Sequence, residues 1–234
     1  MAYKEVIDHL QSLANPKDAE HCQRFFKTAE GEYGFGDLFL GIRVPVIRQA
    51  VKKYNTTSLT DIKKLLRSEY HEIRLFALLL LVSQFTKADP DKKTKIYQLY
   101  LNHTQYINNW DLVDSSAHHI VGAYLEDKDR RVLSKLSQSK SLWDRRIAII
   151  STYHFIKNDQ YKDTLSLSKQ LLNDPEDLIQ KAVGWMLREV GNRDKPTEVT
   201  FLKKYYQVMP RTMLRYSIEK FTNVERKKYL NGTV

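Results

Sequence analysis

The amino-acid sequence predicts an all-α fold, a right-handed α-solenoid of HEAT-like helix pairs with a concave basic face, in a single domain over residues 1–234. Glycine and proline are scarce, at 8 and 6 residues, which favours helices joined by short connections. Hydrophobic residues make up 42% of the chain, enough for a substantial buried core. Similar short phrases also recur at a nearly constant spacing from residue 58 onward.

The N-terminal helices are predicted from apolar spacing and turn residues. Apolar residues at helical intervals indicate a first helix over residues 3–14 and a second over residues 18–29. Three of the eight glycines fall within residues 31–37, which we expect to form a flexible loop. A basic helix follows, with Pro45 in its first turn and Arg48 within it.

The remaining chain consists of helix pairs separated by short polar turns. The second helix of each pair begins with a comparable phrase, and these phrases end at Arg74, Asp114, Arg146, Lys181 and Arg215. The steps are therefore 40, 32, 35 and 34 residues. Such a period is typical of a HEAT-like solenoid, in which the second helices line one concave wall. The alternative is a generic helical bundle whose helices happen to be similar in length.

The charge balance indicates an anionic partner. Lys and Arg number 38 against 28 Asp and Glu, which gives a formal net charge of +10 and a sequence pI near 9.4. Nucleic acid, an anionic membrane or an acidic partner would fit such a chain, and the aromatic content favours nucleic acid. The plainer interpretation is a soluble protein that happens to be basic.

Several classes of chemistry find no support in the sequence. Cys22 is the only cysteine, which excludes an internal disulfide or a thiolate zinc cluster and favours a reducing, cytoplasmic setting. The seven histidines lack metal-ligand spacing, and neither a phosphate-binding loop nor a nucleophile elbow occurs. Residues 1–8 carry charge where a signal peptide is apolar, and the longest apolar run, residues 75–82, is far shorter than the ~20 residues of a membrane span. We expect a monomer without metal, cofactor or membrane.

Residues 108–118 combine an indole, two carboxylates and two hydroxyls in an otherwise basic chain. In a helix, Trp110 and Asp114 stand at i and i+4 and share a face. Asp111 points about 100° away, so we expect it to act as a helix N-terminal charge or cap. Two other tryptophans are paired with basic residues at similar spacing, Trp143 with Arg146 and Trp185 with Lys181 and Arg188. Each tryptophan could instead be a core residue, Trp143 most readily.

A carboxylate in a phosphate-binding wall lowers affinity unless it opposes a positive charge that develops in the substrate. Cleavage of an N-glycosidic bond produces such a charge on the sugar, and a base alkylated on a ring nitrogen is already a cationic leaving group. Our hypothesis is that Asp114 stabilises the oxocarbenium and positions water, while Trp110 and Trp185 flank the cation. The alternative is that Asp114 accepts an interhelical hydrogen bond, for instance from Arg146.

Three phrases of the sequence resemble the AlkD family of DNA alkylation-repair glycosylases, which are built from HEAT-like repeats. They are residues 39–45, residues 110–114 and residues 179–189, and the phrase at residues 143–146 lies between the last two at the expected distance. The resemblance covers roughly residues 5 to 220. It implies removal of cationic N3- or N7-alkylated purines from duplex DNA, without drawing the base into a deep pocket.

The resemblance also implies roles for individual residues. The family's catalytic aspartate falls on Asp114, the aromatic residue four positions before it on Trp110, and a second sugar-facing tryptophan on Trp185. Its phosphate-contacting arginine falls on Arg146, although the neighbouring Arg145 could shift this assignment by one. Further DNA contacts are expected from the basic residues Arg43, Arg48, Arg145, Lys181, Arg188 and Arg215.

The sequence therefore predicts a monofunctional alkylpurine DNA glycosylase, a hydrolase. A lyase step would need an amine near the sugar, for which Lys181 is the only candidate on this wall, so none is predicted. Two rival functions fit the same scaffold. One is a non-catalytic module that binds bent or damaged DNA, and the other is a helical adaptor that binds an acidic protein.

Overall fold

The computed structural model describes residues 3–234, so the first two residues of the N-terminal segment discussed above lie outside the described residues. The described residues form fourteen α-helices, two 3-10 turns and one π-turn, and their only β pairing is one isolated bridge. The predicted all-α fold is confirmed. The chain divides into two compact units, an N-terminal unit that ends at Ser116 and a C-terminal unit, Ala117–Val234. That residues 1–234 form a single domain stays a prediction.

Seven helices and a 3-10 turn make up the described part of the N-terminal unit. They are α1 (Tyr3–Ser12), α2 (Pro16–Phe25), α3 (Val44–Lys53), α4 (Leu59–Leu65), α5 (His71–Lys87), α6 (Pro90–Leu101), the 3-10 turn Thr104–Tyr106 and α7 (Trp110–Asp114). The long helix α5 lies at the centre and packs against α3, α4, α6 and α7. Its apolar run is buried from Leu75 to Leu81, because neighbouring helices cover it on all sides. No helix of the described chain is long and apolar enough to span a membrane.

The second helix departs from the prediction at both ends. It begins at Pro16, two residues early, because the Asn15 side chain accepts hydrogen bonds from the amides of Lys17 and Asp18 and caps the helix. Pro16 then fits the first helical position, where no amide donor is needed. The helix ends at Phe25 rather than residue 29, since Lys27 adopts a left-handed backbone with φ 54°.

The segment after the glycine loop is anchored to α5 through a buried carboxylate. Glu72 accepts hydrogen bonds from the backbone amides of Leu40, Gly41 and Ile42, at 2.9, 2.7 and 3.3 Å. Gly41 has φ +78°, and a Cβ there would lie 2.1 Å from the carbonyl oxygen of Asn15. Only glycine fits this turn, so the phrase at residues 39–45 has a structural cause.

The C-terminal unit consists of the π-turn His118–Gly122, seven helices and a 3-10 turn. The helices are α8 (Arg131–Leu136), α9 (Leu142–Lys157), α10 (Lys162–Gln170), α11 (Asp177–Gly191), α12 (Lys195–Tyr205), α13 (Arg211–Ser217) and α14 (Asn223–Asn231), with the 3-10 turn Ile218–Lys220 before α14. Helix α11 packs against α9, α12 and α13. It approaches α13 closely at Gly184, where a Cβ would lie 2.5 Å from the carbonyl oxygen of Met213.

The repeated phrases do begin helices, as predicted. Helices α5, α7, α9, α11 and α13 each start at, or one residue before or after, the first residue of a phrase. The residues that end the phrases occupy the fourth or fifth helical position in every case. Side chains at these positions therefore leave the first turn of their helices at comparable angles.

Candidate functional site

Helix α7 holds Trp110 at its first position. The buried side chain of Asn109 caps the helix by accepting a hydrogen bond from the Trp110 amide at 2.8 Å. The half-buried indole stacks on Phe26, with ring centroids 5.5 Å apart and an interplanar angle of 25°. Phe25 packs edge-on against the same indole at 6.1 Å, and is itself 56% exposed. The Phe26 ring therefore supports one face of the Trp110 indole, and the exposed Phe25 ring flanks the indole.

Asp114 is the last residue of α7 and is partly exposed, like Trp110. Between them, Leu112 and Val113 are fully buried and fix the rotation of the helix. Trp110 and Asp114 are four residues apart in one helix, so they share a face as the sequence predicted. An indole and a carboxylate are therefore presented together by one turn of helix.

Asp111 has a different environment from Asp114. It lies in the first turn of α7, as expected, and its Oδ1 accepts from the Leu112 amide at 2.9 Å. Its Oδ2 lies 2.8 Å from Nε2 of His71, an imidazole that is only 2% exposed. The other ring nitrogen, Nδ1, lies 3.3 Å from Oδ2 of Asp37, and Oδ1 of Asp37 accepts from Nη2 of Arg74 at 2.7 Å.

These carboxylates determine the charge of His71. Burial alone would lower the pKa of the imidazole, but the hydrogen bonds and negative charges of Asp111 and Asp37 outweigh it and raise the pKa to about 9. His71 is therefore an imidazolium at neutral pH. Burial acts to raise the pKa of Asp37, but its hydrogen bond with His71 and the charge of Arg74 lower it overall.

Two phenylalanine rings, which also stack on each other, pack against the His71 imidazole. Phe26 and Phe39 each lie with their ring centroids 4.8 Å from it. Phe26 also stacks on Trp110, so one phenylalanine joins the buried imidazolium to the half-buried indole. His71, Asp37, Phe25 and Phe26 were not predicted from the sequence, where the adjacent phenylalanines near the end of a predicted helix are the only local signal.

The two arginines expected to contact DNA from the N-terminal unit are both exposed. Arg43, just before α3, pairs with Asp18 through Nε at 3.0 Å and Nη2 at 3.2 Å. That hydrogen bond raises the pKa of Arg43 and lowers the pKa of Asp18. Arg48 projects from α3 into solvent. A pair as exposed as Arg43 and Asp18 contributes little to stability and can open for another anion.

In the C-terminal unit, Arg145 is an internal brace. Its Nε and Nη2 donate to the Asp174 carboxylate at 2.7 and 3.3 Å, and its Nη1 donates to the carbonyl oxygens of Ser139 and Lys140, both at 3.0 Å. Four of its five N–H groups are thereby used. The predicted DNA contact at Arg145 has no support in this geometry, because the guanidinium is already bound to its own chain.

Arg146, one position further along α9, is 5% exposed, and its Nη1 donates to the carbonyl oxygen of Leu178. The resemblance assigns the phosphate contact to Arg146, with a possible shift by one to Arg145. Both guanidinium groups donate to their own chain, and the role of Arg146 stays a prediction. Trp143, at the second position of α9, is half-buried.

Trp185 lies in a cluster of aromatic and charged side chains on α9 and α11. Its indole N–H donates to Glu189 at 3.2 Å, which holds the ring plane, and the ring lies 6.0 Å from Tyr153. Two cations face the Tyr153 ring, Lys157 Nζ at 4.3 Å and the Arg193 guanidinium at 6.0 Å. Partial burial and the positive charge of Arg193 lower the pKa of Lys157.

Tyr153, Lys157 and Arg193 were not predicted from the sequence. The spacing of Tyr153 and Lys157 at i and i+4 was the available signal, since such pairs meet on a helix surface. Arg193 lies just after α11, and nothing local places it near Tyr153.

The remaining basic candidates of this unit differ in exposure. Lys181 is half-buried, with Nζ 2.6 Å from Oδ2 of Asp177. Arg188 donates to Glu219 through Nη1, and its side chain is 18% exposed. Arg215 is exposed on α13. Arg215 and Lys181 are therefore better placed than Arg188 to meet an external anion.

The described chain holds no cluster of metal ligands beside these residues. Over residues 3–234, no group of three or more His, Cys, Asp or Glu side chains could hold a metal ion. An open groove of ≈ 550 Å³ between α10 and α12 is lined by none of the predicted site residues.

Comparisons with known proteins agree with the fold and with one family. The chain matches the family described as DNA alkylation repair enzyme over residues 6–221. No curated protein matches it significantly. Its fold is similar to that of a solved structure from Enterococcus faecalis described as a predicted DNA alkylation repair enzyme, with a TM-score of 0.68 and 16% sequence identity, over 90% of this chain and 97% of that chain. At this identity the likeness concerns the fold alone.

Proposed function

Since the chain belongs to the family of DNA alkylation repair enzymes, we propose that it is a monofunctional DNA glycosylase for cationic N3- or N7-alkylated purines in duplex DNA. The observation that carries this proposal is the pairing of Trp110 and Asp114 on α7. Both side chains are partly exposed and share one face of the helix, whereas Asp111 points about 100° away from Trp110 and its Oδ2 lies 2.8 Å from Nε2 of His71. We therefore assign the catalytic carboxylate to Asp114.

The proposed reaction needs little acid catalysis. The C1′–N bond breaks, and its electron pair leaves with the purine, whose positive charge is thereby neutralised. The deoxyribose becomes an oxocarbenium ion, which Asp114 stabilises through its negative charge. Water adds at C1′ and loses its proton to Asp114 or to solvent, so that an abasic site and a free neutral purine are formed.

The aromatic side chains favour a cationic nucleotide. A cation over an indole face is stabilised by roughly 0.5 to 2 kcal/mol, and a flat base or sugar packs on the same surface. Trp110 is held by Phe26, and Trp185 by Glu189, so each indole offers a face whose orientation is already fixed. We assign the sugar and base contacts to these two tryptophans.

The basic side chains hold the DNA backbone in this proposal. Arg146 contacts a phosphate near the lesion, while Arg48 and Arg215 project from exposed positions on α3 and α13. Arg43 and Lys181 exchange their carboxylate partners for phosphate when DNA binds. The protein acts as a cytoplasmic monomer without metal or cofactor.

The deciding experiment is release of 7-methylguanine or 3-methyladenine from methylated duplex DNA. We expect Asp114→Asn to lower release by about two orders of magnitude or more, because an electrostatic group of the transition state is lost. DNA affinity stays unchanged or improves, since a charge that repels phosphate has gone. Asp91→Asn is the matched control, because it removes the same charge from an exposed site on α6.

Two outcomes would contradict the proposal. If the wild-type protein binds DNA tightly and in a salt-sensitive manner without releasing a base, the protein is a non-catalytic DNA-binding module. If Asp114→Asn abolishes DNA affinity together with activity, Asp114 is a structural residue. An adaptor for an acidic protein predicts no DNA affinity at ~100 mM salt, where several phosphate contacts would still register.

A further inference from the structure

Helix α7 is too short to keep its position by itself. It has five residues, whereas isolated helices of fewer than ~12 residues are marginal in water. Its orientation therefore depends on contacts with the rest of the N-terminal unit. Those contacts are the burial of Leu112 and Val113, the stacking of Trp110 on Phe26, and the bond between Asp111 and the α5 residue His71.

His71 reaches α7 by two separate routes. Its Nε2 lies 2.8 Å from the carboxylate of Asp111, in the first turn of the helix. Its ring centroid lies 4.8 Å from the ring centroid of Phe26, and the Phe26 ring stacks on Trp110. One buried side chain thus constrains both the backbone of the first turn and the plane of the indole.

The protonated imidazole is the form that fits this position. A neutral imidazole has one N–H group, so one of its two nitrogens would present a lone pair to a carboxylate oxygen. The imidazolium donates to Asp111 and Asp37 at the same time. With Arg74, the four groups carry two positive and two negative charges, so the buried cluster is neutral as a whole.

The other ionisable groups near this cluster leave that balance unchanged. Glu72, next to His71 on α5, is bound by three backbone amides. Cys22 on α2 lies near Asp111 and Glu72, and burial raises the pKa of its thiol, which therefore stays neutral. Phe26 and Phe39, which stack on each other, pack apolar rings against the imidazole.

We infer that His71 is a positioning residue for the proposed base excision: it fixes α7 through Asp111 and Phe26, so that Trp110 and Asp114 are presented to the lesion in one orientation. This inference rests on the proposed glycosylase function. His71 is 2% exposed and does not touch the substrate. Its effect is on the geometry of Asp114, where a displacement of about 1 Å costs on the order of 100-fold in rate.

Two substitutions of His71 separate a positioning role from a purely structural one. In His71→Gln, the side-chain amide nitrogen replaces Nε2, so the bond to Asp111 is kept and the bond to Asp37 is lost. In His71→Asn, the amide nitrogen replaces Nδ1, so the bond to Asp37 is kept and the bond to Asp111 is lost. Both variants remove the buried charge and one of the two hydrogen bonds, so their costs in stability are comparable.

The measurement is the single-turnover rate of base release at saturating protein, alongside the melting temperature and the affinity for undamaged duplex. We expect His71→Asn to lower the rate by about 100-fold and His71→Gln by less than about 10-fold, because only the former frees α7. Affinity for undamaged DNA stays within about twofold of wild type in both variants, since no phosphate contact is removed. Ile62→Ala, in the fully buried core of α4, lowers the melting temperature without altering the rate.

Each other outcome has a definite meaning. Equal rates for His71→Asn and His71→Gln, or rates that follow melting temperature across all three variants, would overturn the positioning role. An active wild-type protein with such results contradicts only the role of His71. A wild-type protein that releases no base contradicts the proposed function itself, and the role of His71 falls with it.

Discussion

Arg145 in α9 repeats the bonding pattern of Arg74 in α5. Each guanidinium donates to the carbonyl oxygens of the residues five and six positions before it, and each pairs with a buried aspartate, Asp174 or Asp37. Gln180 in α11 likewise donates to the carbonyl oxygen six positions before it. These helices therefore share an internal brace at the first turn. In α9 the bracing residue, Arg145, lies one position before Arg146, which ends the repeated phrase. In α11 the bracing residue, Gln180, likewise lies one position before Lys181.

Removal of the Arg145 brace is expected to destabilise the protein. Arg145→Ala leaves Asp174, whose side chain is 5% exposed, as an uncompensated buried charge. We expect the free energy of unfolding to fall by about 3 to 5 kcal/mol in chemical denaturation. Arg131→Ala breaks an exposed pair with Asp129 and leaves the free energy of unfolding nearly unchanged, which makes it the control. A weaker salt dependence of DNA binding with unchanged stability would instead restore Arg145 as a phosphate contact.

The stability of the N-terminal unit is expected to fall at alkaline pH through His71. The pKa of His71 is about 9 in the folded protein, raised from an ordinary value of 6.5. Its contribution is fully present below pH 6.5 and is lost as the pH rises through 9, with a size on the order of 3 kcal/mol. Urea denaturation between pH 6 and 10 measures this loss. His71→Gln is less stable than wild type at pH 6 and loses much less stability over that range, and a parallel decline in the two proteins would rule out His71 as the cause.

The stability of the C-terminal unit is expected to depend on pH through Glu198. This side chain of α12 is 1% exposed, and its Oε2 lies where a Cβ on Gly191 would be. Burial raises its pKa to about 8 from 4.5, although the charges of Lys195 and Arg188 oppose the shift.

Because the folded protein holds this proton more tightly, the stabilisation is full below pH 4.5 and is lost as the pH rises through 8. We expect the free energy of unfolding to decrease between pH 5 and pH 8, and Glu198→Gln to flatten that decrease. The measurement is urea denaturation at the two pH values in wild type and variant. If Glu198→Gln keeps the full pH dependence, the carboxyl is ionised in the folded protein and the raised pKa is refuted.

Lys157 is expected to contact a DNA phosphate beside Trp185. Lys157 and Arg193 repel each other across the Tyr153 ring, and an anion bound to both relieves this repulsion. Loss of one phosphate contact lowers the slope of log affinity against log salt concentration by about 0.9. We expect this change for Lys157→Gln, measured on undamaged duplex. Lys203→Gln removes the same charge from an exposed site on α12, and an equal change in both variants would show only the effect of net charge.

The helices and the α7 pair were predictable because their signals are local. Trp110 and Asp114 are four residues apart, so helical geometry alone places them on one face. The fourth or fifth position of each phrase helix could likewise be found by counting. By contrast, the second helix was predicted to begin at residue 18, whereas the Asn15 side chain caps a helix that begins at Pro16.

The surroundings of that pair could not be predicted, because they join distant residues. His71 bonds to Asp37 and Asp111, which are 34 and 40 positions away in the chain. No spacing pattern marks such a contact. The bracing role of Arg145 could not be predicted for another reason: neighbouring residues point about 100° apart, and the rotation of the helix decides which of Arg145 and Arg146 is braced.

The Glu72 carboxylate has a consequence for where DNA can bind. Three successive amide groups, those of Leu40, Gly41 and Ile42, converge on it, and such an arrangement is a common receptor for phosphate. Here the receptor is occupied by a tethered anion at high effective concentration, against which a DNA phosphate cannot compete. The phrase at residues 39–45 therefore serves the fold, because its amides bind Glu72. The proposed base excision depends on α7 instead, so this phrase in a relative does not by itself predict that activity.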